Sequence, residues 1–296
     1  NPGPQTDFLA AAEREVLYGG SAGGGKSYAM LSDPLRYMGH PAFSGLLLRH
    51  TTEELRELVF KSQELYPKIW PGIKWSERKM QWTAPSGARL WMSYLDRDDD
   101  VLRYQGLAFS WIGFDELTQW ATPYAWNYMR SRLRSTAADL PIYMRATTNP
   151  GGRGHHWVKK MFIDPAPYNR AYDATDIETG EVLRYPAGHA KAGRPLYKRR
   201  FIPARLSDNP YLAESGDYEA MLLSMPEQQR RQLLDGDWDI KEGAAFTEFD
   251  RNIHVIEPFD IPNNWVKFRA CDYGYGSKSG VVWFAVAPNE QLVVYR

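Results

Sequence analysis

Short apolar segments alternate with amphipathic ones along the first 150 residues. Strand-length apolar segments are predicted at residues 16–18, 45–48, 111–114 and 142–146. Helical spacing of apolar positions is found at residues 26–37, where Pro34 is expected to kink or shorten the helix, and at residues 52–65. Strands that alternate with helical crossovers predict an α/β fold, with a mainly parallel twisted sheet flanked by helices. Ligands of such sheets bind at the carboxyl ends of the strands.

Further local signals extend this pattern. Residues 81–84 and 88–94 flank Pro85-Ser86-Gly87 and predict a hairpin, and residues 123–133 predict a helix that begins with proline. Beyond Gly151, residues 164–200 are rich in proline, glycine, tyrosine and charge, which predicts mostly loops. Residues 218–234 are predicted to be helical and to end at Gly236. A new strand is predicted from about Lys267, and we expect the chain to be truncated within a domain that it begins.

Composition restricts the class of protein. The hydrophobic fraction of 43% in 296 residues is enough for a core without disulfide bonds. The single cysteine, Cys271, excludes an intramolecular disulfide and fits a reducing compartment. No apolar run reaches the ~18 residues of a membrane span, and the first residues do not resemble a signal peptide. We therefore expect a protein that is intracellular and is not inserted in a membrane.

The charge is balanced, with 36 basic and 36 acidic residues. This balance argues against a protein that coats nucleic acid indiscriminately, although a motor that touches few phosphates at a time remains compatible with it. Composition alone does not indicate DNA.

A glycine-rich loop follows the first predicted strand. Residues 20–27 match the phosphate-loop pattern in full, and their members are Gly20, Ser21, Ala22, Gly23, Gly24, Gly25, Lys26 and Ser27. Glycines allow the backbone N–H groups to approach a triphosphate closely, and the following helix adds its N-terminal dipole. Lys26 is expected to bind the β- and γ-phosphates and Ser27 to bind Mg²⁺. The strand before the loop and the helix after it favour an ATP site over a chance glycine-rich turn.

Two acids end the apolar strand at residues 111–114. Asp115 is expected to hold Mg²⁺ directly or through water, and Glu116 to act as the general base that activates the attacking water. An acidic strand end is common by itself, but its combination with a phosphate loop indicates an ATP hydrolase.

At this point the chain resembles the large terminase subunit of tailed bacteriophages. The segment Ala146-Thr147-Thr148-Asn149-Pro150-Gly151-Gly152 is similar to the coupling motif of that family, in which Thr148 and Asn149 would sense the γ-phosphate. Asp208-Asn209-Pro210-Tyr211-Leu212 and Gly236-Asp237-Trp238-Asp239 resemble its linker subdomain. The resemblance covers essentially the whole chain. It implies a P-loop NTPase core of the RecA/ASCE-like type at 1–195, a linker subdomain at 196–245, and a hinge with the start of an RNase H-like nuclease domain at 246–296.

The resemblance also implies roles for single residues. Gln5 stands where the family has a glutamine that contacts adenine, with an exposed polar residue as the alternative. Arg103 stands where similar proteins carry an arginine finger for a neighbouring subunit, although Tyr104-Gln105 departs from the usual sequence, and Arg49 is its rival for a phosphate contact. Asp272 resembles the first metal ligand of the nuclease, which needs divalent metal and further carboxylates, so we expect no nuclease activity from this chain.

Other residues have a simpler interpretation. With one cysteine, His155 and His156 indicate no zinc site and are expected to be structural or surface residues. The candidates for DNA contact are Arg130, Arg132, Arg134 and residues 198–200, for which a solvated face is the slightly favoured alternative.

The function implied is an ATP- and Mg²⁺-dependent motor that translocates double-stranded DNA into a procapsid. The implied partners are DNA, the portal protein, the small terminase subunit and further copies of this chain in a ring. The implied location is the host cytoplasm, transiently at the portal, and not the mature virion. Another P-loop translocase or helicase would need a second RecA-like lobe, which is not evident after residue 150. A nucleotide-gated assembly switch with low turnover is the other alternative, and Glu116 argues against it.

Overall fold

The structure is a computed structural model that describes residues 3–214, 216–240, 255–274 and 279–295. The chain divides into two compact units, Asn1–Glu242 and Gly243–Arg296.

The first unit is built on one nine-stranded sheet. Its strands are β1 (Glu15–Gly20), β2 (Ser44–Arg49), β3 (Lys74–Ser76), β4 (Gln81–Thr83), β5 (Arg89–Tyr94), β6 (Trp111–Asp115), β7 (Tyr143–Thr148), β8 (Ala171–Asp173) and β9 (Lys198–Ala204). Their order in the sheet is β3-β4-β5-β2-β6-β7-β1-β9-β8. The six strands from β5 to β9 in this order are parallel, whereas β4 and β8 run antiparallel to their neighbours. The predicted mainly parallel α/β sheet is therefore confirmed.

Helices connect these strands and continue after β9. They are α1 (Pro4–Ala10), α2 (Lys26–Ser32), α3 (Thr52–Ile69), α4 (Tyr124–Arg130), α5 (His155–Val158), α6 (Pro210–Ala213), α7 (Asp217–Leu223) and α8 (Glu227–Arg230). The helix predicted at 26–37 ends at Ser32 and continues as a 3-10 turn, Asp33–Tyr37, which contains Pro34 as expected. The side chain of Thr51 caps α3 by accepting from the Glu54 amide at 3.4 Å.

The core lies on both faces of the sheet, as parallel strands require. Strand β6 is buried throughout, and its side chains alternate between two apolar clusters: Ile112 and Phe114 face one, Trp111 the other. Helices α2 and α3 contribute to the Trp111 side, and α4 to the opposite side. The carboxyl ends of β1, β6 and β7 are therefore fixed side by side.

Buried ion pairs hold the strand β1 to its neighbours. The Glu15 carboxylate lies 2.7 Å from Arg199 Nε and 2.5 Å from Arg130 Nε. Burial raises the pKa of Glu15, but the two guanidinium groups outweigh burial and hold that pKa below its ordinary value. Arg130 and Arg199 were candidates for DNA contact, and the structure assigns them instead to this internal carboxylate.

The sheet extends beyond residue 195, where the core was expected to end. Strand β9 is hydrogen-bonded to β1 and continues to Ala204, and the segment expected to be mostly loop contains β8. The predicted helix at 218–234 consists of α7, α8 and a π-helical turn, Arg231–Asp235, and it ends at Gly236 with φ of 64°.

The second unit contains an antiparallel sheet of β10 (Val266–Asp272), β11 (Gly280–Val286) and β12 (Leu292–Val294). The strand predicted from about Lys267 begins one residue earlier, and Asp272 is its last residue. The expected boundary at 245/246 lies outside the described residues. In the part of the chain that is described, no helix has both the length and the apolar character to cross a membrane.

Candidate nucleotide-binding site

The glycine-rich loop joins the end of β1 to the start of α2. Gly20 has φ of 137°, and a Cβ at this position would overlap the Ala204 carbonyl of β9. Gly25 has φ of 75° and precedes the first residue of α2. A left-handed backbone and a close neighbouring strand both require glycine, so the loop conformation depends on the residues that define the motif.

The first part of this loop is fixed by backbone hydrogen bonds. The Ser21 amide donates to the Ala204 carbonyl at 2.8 Å, and the Ala22 amide donates to the Leu233 carbonyl at 2.6 Å. The rest of the loop, from Gly23 to Ser27, lines an open cavity of about 340 Å³. Backbone N–H groups at the start of a helix form a favourable place for phosphate.

Lys26 points into this cavity from the first turn of α2. Its ammonium donates to the Ser21 carbonyl at 2.5 Å, and the residue is only 7% exposed. Burial lowers the pKa of Lys26, and the carboxylates of Glu116 and Asp115 partly oppose that effect. A bound phosphate would supply the negative charge that this buried ammonium needs.

Asp115 ends β6 beside two partners from neighbouring strands. One carboxylate oxygen accepts from the hydroxyl of Thr147 in β7. The other lies 2.9 Å from Arg49 Nε at the end of β2. Neither that oxygen nor the Nε has a hydrogen-bond partner among the described residues, so their contact is an ion pair without hydrogen-bond geometry. Asp115 therefore offers a buried, hard oxygen at the edge of the cavity.

Glu116 is the next residue and has an unusual backbone. Its φ of 59° and ψ of 57° are left-handed, which is uncommon for glutamate. This conformation brings the carboxylate to the cavity, where Oε2 accepts from the Asn149 amide at 3.3 Å and from the Thr148 hydroxyl at 3.4 Å. Burial and the neighbouring Asp115 raise the pKa of Glu116 above its ordinary value, against the opposing effect of Lys26 and Arg49.

Thr148 connects Glu116 with a second threonine. Its hydroxyl lies 2.7 Å from that of Thr118, whose hydroxyl also lies 3.2 Å from the Asn149 carbonyl. Thr118 and Thr147 belong to this buried network but are absent from the residues predicted for the site. Their hydroxyls become relevant only when β6 and β7 are paired.

A second cavity of about 600 Å³ adjoins the glycine-rich loop. Gln5 lines it and donates from Nε2 to the Gly25 carbonyl at 3.0 Å. On the other side, the amide of Asn209 donates to the Gly23 carbonyl at 2.7 Å. Tyr28 and Tyr211 also line this space and are 49% and 84% exposed. Asn209 and the two tyrosines were not predicted as nucleotide contacts.

The family of the chain is given by a sequence comparison. The model of the family described as "Terminase large subunit, T4likevirus-type, N-terminal" matches residues 17–253. The chain belongs to this family. A search of curated proteins gives no significant match. The family consists of large terminase subunits, so the chain acts in ATP-driven DNA packaging, and the resemblance inferred from its motifs is confirmed.

Solved structures agree with the fold. The large terminase of a thermophilic bacteriophage, solved in complex with ADP, is similar with a TM-score of 0.57 and 16% identity, over 99% of this chain and 67% of that one. The ATPase domain of the Thermus phage P74-26 large terminase has a TM-score of 0.47 and 13% identity, over 80% of this chain and 94% of that one. The expected P-loop NTPase fold of this terminase chain is confirmed.

Two predicted residues of the terminase chain lie apart from the loop cavity. Arg103 donates to the Tyr94 carbonyl at 3.0 Å, pairs with Asp100 at 3.2 Å, and keeps a side chain that is 46% exposed. It is not among the described residues that line either cavity beside the loop. Asp272 ends β10 in the other unit, and no cluster of three or more metal-binding side chains is found among the described residues.

Proposed function

We propose that this terminase chain binds MgATP against residues 20–27 and hydrolyses it with Glu116 as the general base. The observation that carries the proposal is that Lys26, Glu116 and Asn149 line one cavity although they come from three different strand ends. A cation, a carboxylate and a phosphate-sized space are the minimum for positioning a γ-phosphate against water.

The geometry of Glu116 fits a base. Its carboxylate is buried, its pKa is raised toward the working range, and the Asn149 amide orients one oxygen. The other oxygen is available to accept a proton from an attacking water. Because Asn149 and Thr148 hold this carboxylate, they would register the loss of the γ-phosphate.

The residues present also fit Mg²⁺. Asp115 has one buried oxygen without a hydrogen-bond partner among the described residues, and Ser27 lines the adjoining cavity. Oxygen atoms of this kind, together with phosphate oxygens, are the ligands that Mg²⁺ prefers. When bound, the ion would neutralise charge that develops on the β- and γ-phosphates.

The second cavity fits a nucleoside. Gln5 has an amide that can both donate to and accept from a purine edge. Tyr28 and Tyr211 present exposed aromatic rings at the same cavity, which favours stacking with a base. Asn209 fixes the loop that carries Tyr211 to the phosphate loop. We therefore assign adenine to this cavity.

Arg103 fits a role in a neighbouring site. It is exposed, it is held by a backbone carbonyl and Asp100, and it lies apart from the cavity of its own chain. We propose that it completes the site of another copy in a ring on the portal, while the motor works on double-stranded DNA together with the small terminase subunit. We place this assembly in the host cytoplasm, at the procapsid.

The test is steady-state ATP hydrolysis with and without double-stranded DNA and portal. Glu116→Gln should lower turnover by about 10²–10⁴-fold, as expected for loss of a general base, while MgATP binding persists. Glu57→Gln is the matched control, because Glu57 lines the same cavity but is paired with Lys61. Unchanged turnover in Glu116→Gln would falsify the assignment of the base. Normal hydrolysis without DNA movement would favour the nucleotide-gated switch over the motor.

A further inference from the structure

His155 lies between the coupling segment and the end of the linker. Its Nδ1 accepts a hydrogen bond from the Gly151 amide at 2.8 Å, and its Nε2 lies 3.2 Å from the Trp238 carbonyl oxygen. The imidazole also stacks on the Trp238 indole, with 5.3 Å between ring centroids and 20° between planes. One side chain therefore joins two segments that are distant in the sequence.

The two hydrogen bonds specify one tautomer. A backbone amide can only donate and a backbone carbonyl can only accept, so Nδ1 must be unprotonated and Nε2 must carry the proton. Neutral imidazole satisfies both groups at once. This makes His155 a connection with a fixed direction rather than a surface polar residue.

On one side, the connection reaches the candidate base. Gly151 follows Asn149 by two residues, and the Asn149 amide donates to Glu116 Oε2 at 3.3 Å. A shift of Asn149 relative to the carboxylate would move the Gly151 amide, which is the donor to His155. Between these two residues the chain contains Pro150, whose ring restricts its backbone.

On the other side, the connection reaches the phosphate loop. Trp238 is 2% exposed and packs against Phe201 of β9, with 5.9 Å between ring centroids. Two residues earlier, Gly236 lies so close that a Cβ would be 2.7 Å from the Ser21 amide nitrogen. The Ala22 amide donates to the Leu233 carbonyl of the same segment. Residues 231–238, called here the linker end, therefore contact the phosphate loop directly.

We propose that His155 is the positioning residue that transmits the state of the γ-phosphate from Asn149 to the linker end. It holds Trp238 in register with Gly151, so that a change at Glu116 shifts the linker end together with the coupling segment. The inference rests on the proposed ATPase site, because it assumes that Glu116 and Asn149 face the γ-phosphate.

The test follows Trp238 directly in the full chain. The protein is labelled with 5-fluorotryptophan, and the ¹⁹F resonance of Trp238 is assigned from Trp238→Phe. Spectra are compared with Mg²⁺ plus ADP and with Mg²⁺ plus a non-hydrolysable ATP analogue. In the wild type we expect the Trp238 resonance to differ between the two nucleotides, because a buried ring reports changes in its packing.

Two substitutions separate the relay from simple packing. His155→Phe keeps an aromatic ring on Trp238 but neither hydrogen bond, and His155→Asn keeps an acceptor for the Gly151 amide but no contact with the Trp238 carbonyl. Both should lose the nucleotide-dependent difference while the affinities for the two nucleotides stay within about twofold of the wild type. His156→Phe is the matched control, since His156 is exposed, and it should behave as the wild type.

The outcomes distinguish this inference from the proposed function. A nucleotide-dependent Trp238 resonance that persists in both His155 variants overturns the relay. So does a wild-type resonance that is the same with both nucleotides while Glu116→Gln abolishes hydrolysis. If Glu116→Gln hydrolyses ATP normally, the proposed function is wrong, and that result is obtained without any His155 variant. A second readout is the ATP consumed per length of DNA packaged, which should rise several-fold in His155→Phe.

Discussion

The guanidinium of Arg49 lies against the carboxylate of Asp115, with 2.9 Å between Nε and Oδ2. Arg49 ends β2, Asp115 ends β6, and the two strands are hydrogen-bonded neighbours. Both residues are buried, so the cation neutralises a carboxylate that we assign to Mg²⁺. Arg49 therefore belongs to the site of its own chain, whereas Arg103 does not line that cavity. The two arginines have separate places in the structure, and they are not alternatives for one role.

Removal of Arg49 should make the protein depend on Mg²⁺ for stability. Arg49→Gln leaves Asp115 buried beside no cation, and breaking a buried pair costs about 3–5 kcal/mol. We expect a lower Tm in the presence of EDTA, with Mg²⁺ and ADP restoring more stability than they add to the wild type. Arg36→Gln is a suitable control, because Arg36 pairs at 3.4 Å with the buried Asp33, outside the nucleotide cavity. An equal gain from Mg²⁺ and ADP in Arg49→Gln and the wild type would contradict this interpretation.

Glu116 should lower the stability of the nucleotide-free protein at neutral pH. Burial first, and the carboxylate of Asp115 second, raise the pKa of Glu116 above its ordinary 4.5. A carboxyl whose pKa is raised on folding contributes stability that is complete below pH 4.5 and is lost as pH rises through the raised pKa. Glu116→Gln should therefore have a higher Tm than the wild type at about pH 7–8, and the difference should disappear near pH ~4. Thermal melts without nucleotide over this pH range measure it. A lower Tm for Glu116→Gln at neutral pH would mean that the ionised carboxylate stabilises the fold.

The sequence was sufficient for the parts of the site that are local. The phosphate loop and the pair Asp115-Glu116 are each contiguous, and the apolar strands before them give their position in the sheet. Alternation of strands and helices was likewise enough for the mainly parallel sheet, because period and connection length determine that architecture.

The rest of the site depends on contacts between distant segments. Asn209 reaches the Gly23 carbonyl across 186 positions, and no spacing in the sequence indicates that approach. Arg130 and Arg199 looked like candidates for DNA contact until the fold placed Glu15 between them. The only sequence signal for the Asn209 region was its similarity to a family motif, which gave the segment but not its contact with the loop.

Arg103 gives a prediction about assembly. If it completes a neighbour's site, Arg103→Ala subunits mixed into wild-type assemblies should lower ATP hydrolysis more than in proportion to their fraction. Isolated chains should hydrolyse slowly, whether or not they carry the substitution. Arg170→Ala, at another exposed arginine, should give a proportional response or none. A strictly linear loss with Arg103→Ala would exclude a role in a neighbouring site.

Gly151 offers a steric test of the contact between the coupling segment and the linker end. It has φ of 93°, and a Cβ there would overlap the side-chain amide of Gln232. Gly188 has a similar φ of 87° with nothing within 4 Å of such a Cβ. Gly151→Ala and Gly188→Ala should therefore share the left-handed strain of about 1–2 kcal/mol, and only Gly151→Ala should also reduce DNA-stimulated ATP hydrolysis. Adding Gln232→Ala removes the overlapping side chain and should restore activity without removing the strain. If the double variant remains as impaired as Gly151→Ala, the defect comes from the backbone of the coupling segment and not from its contact with the linker end.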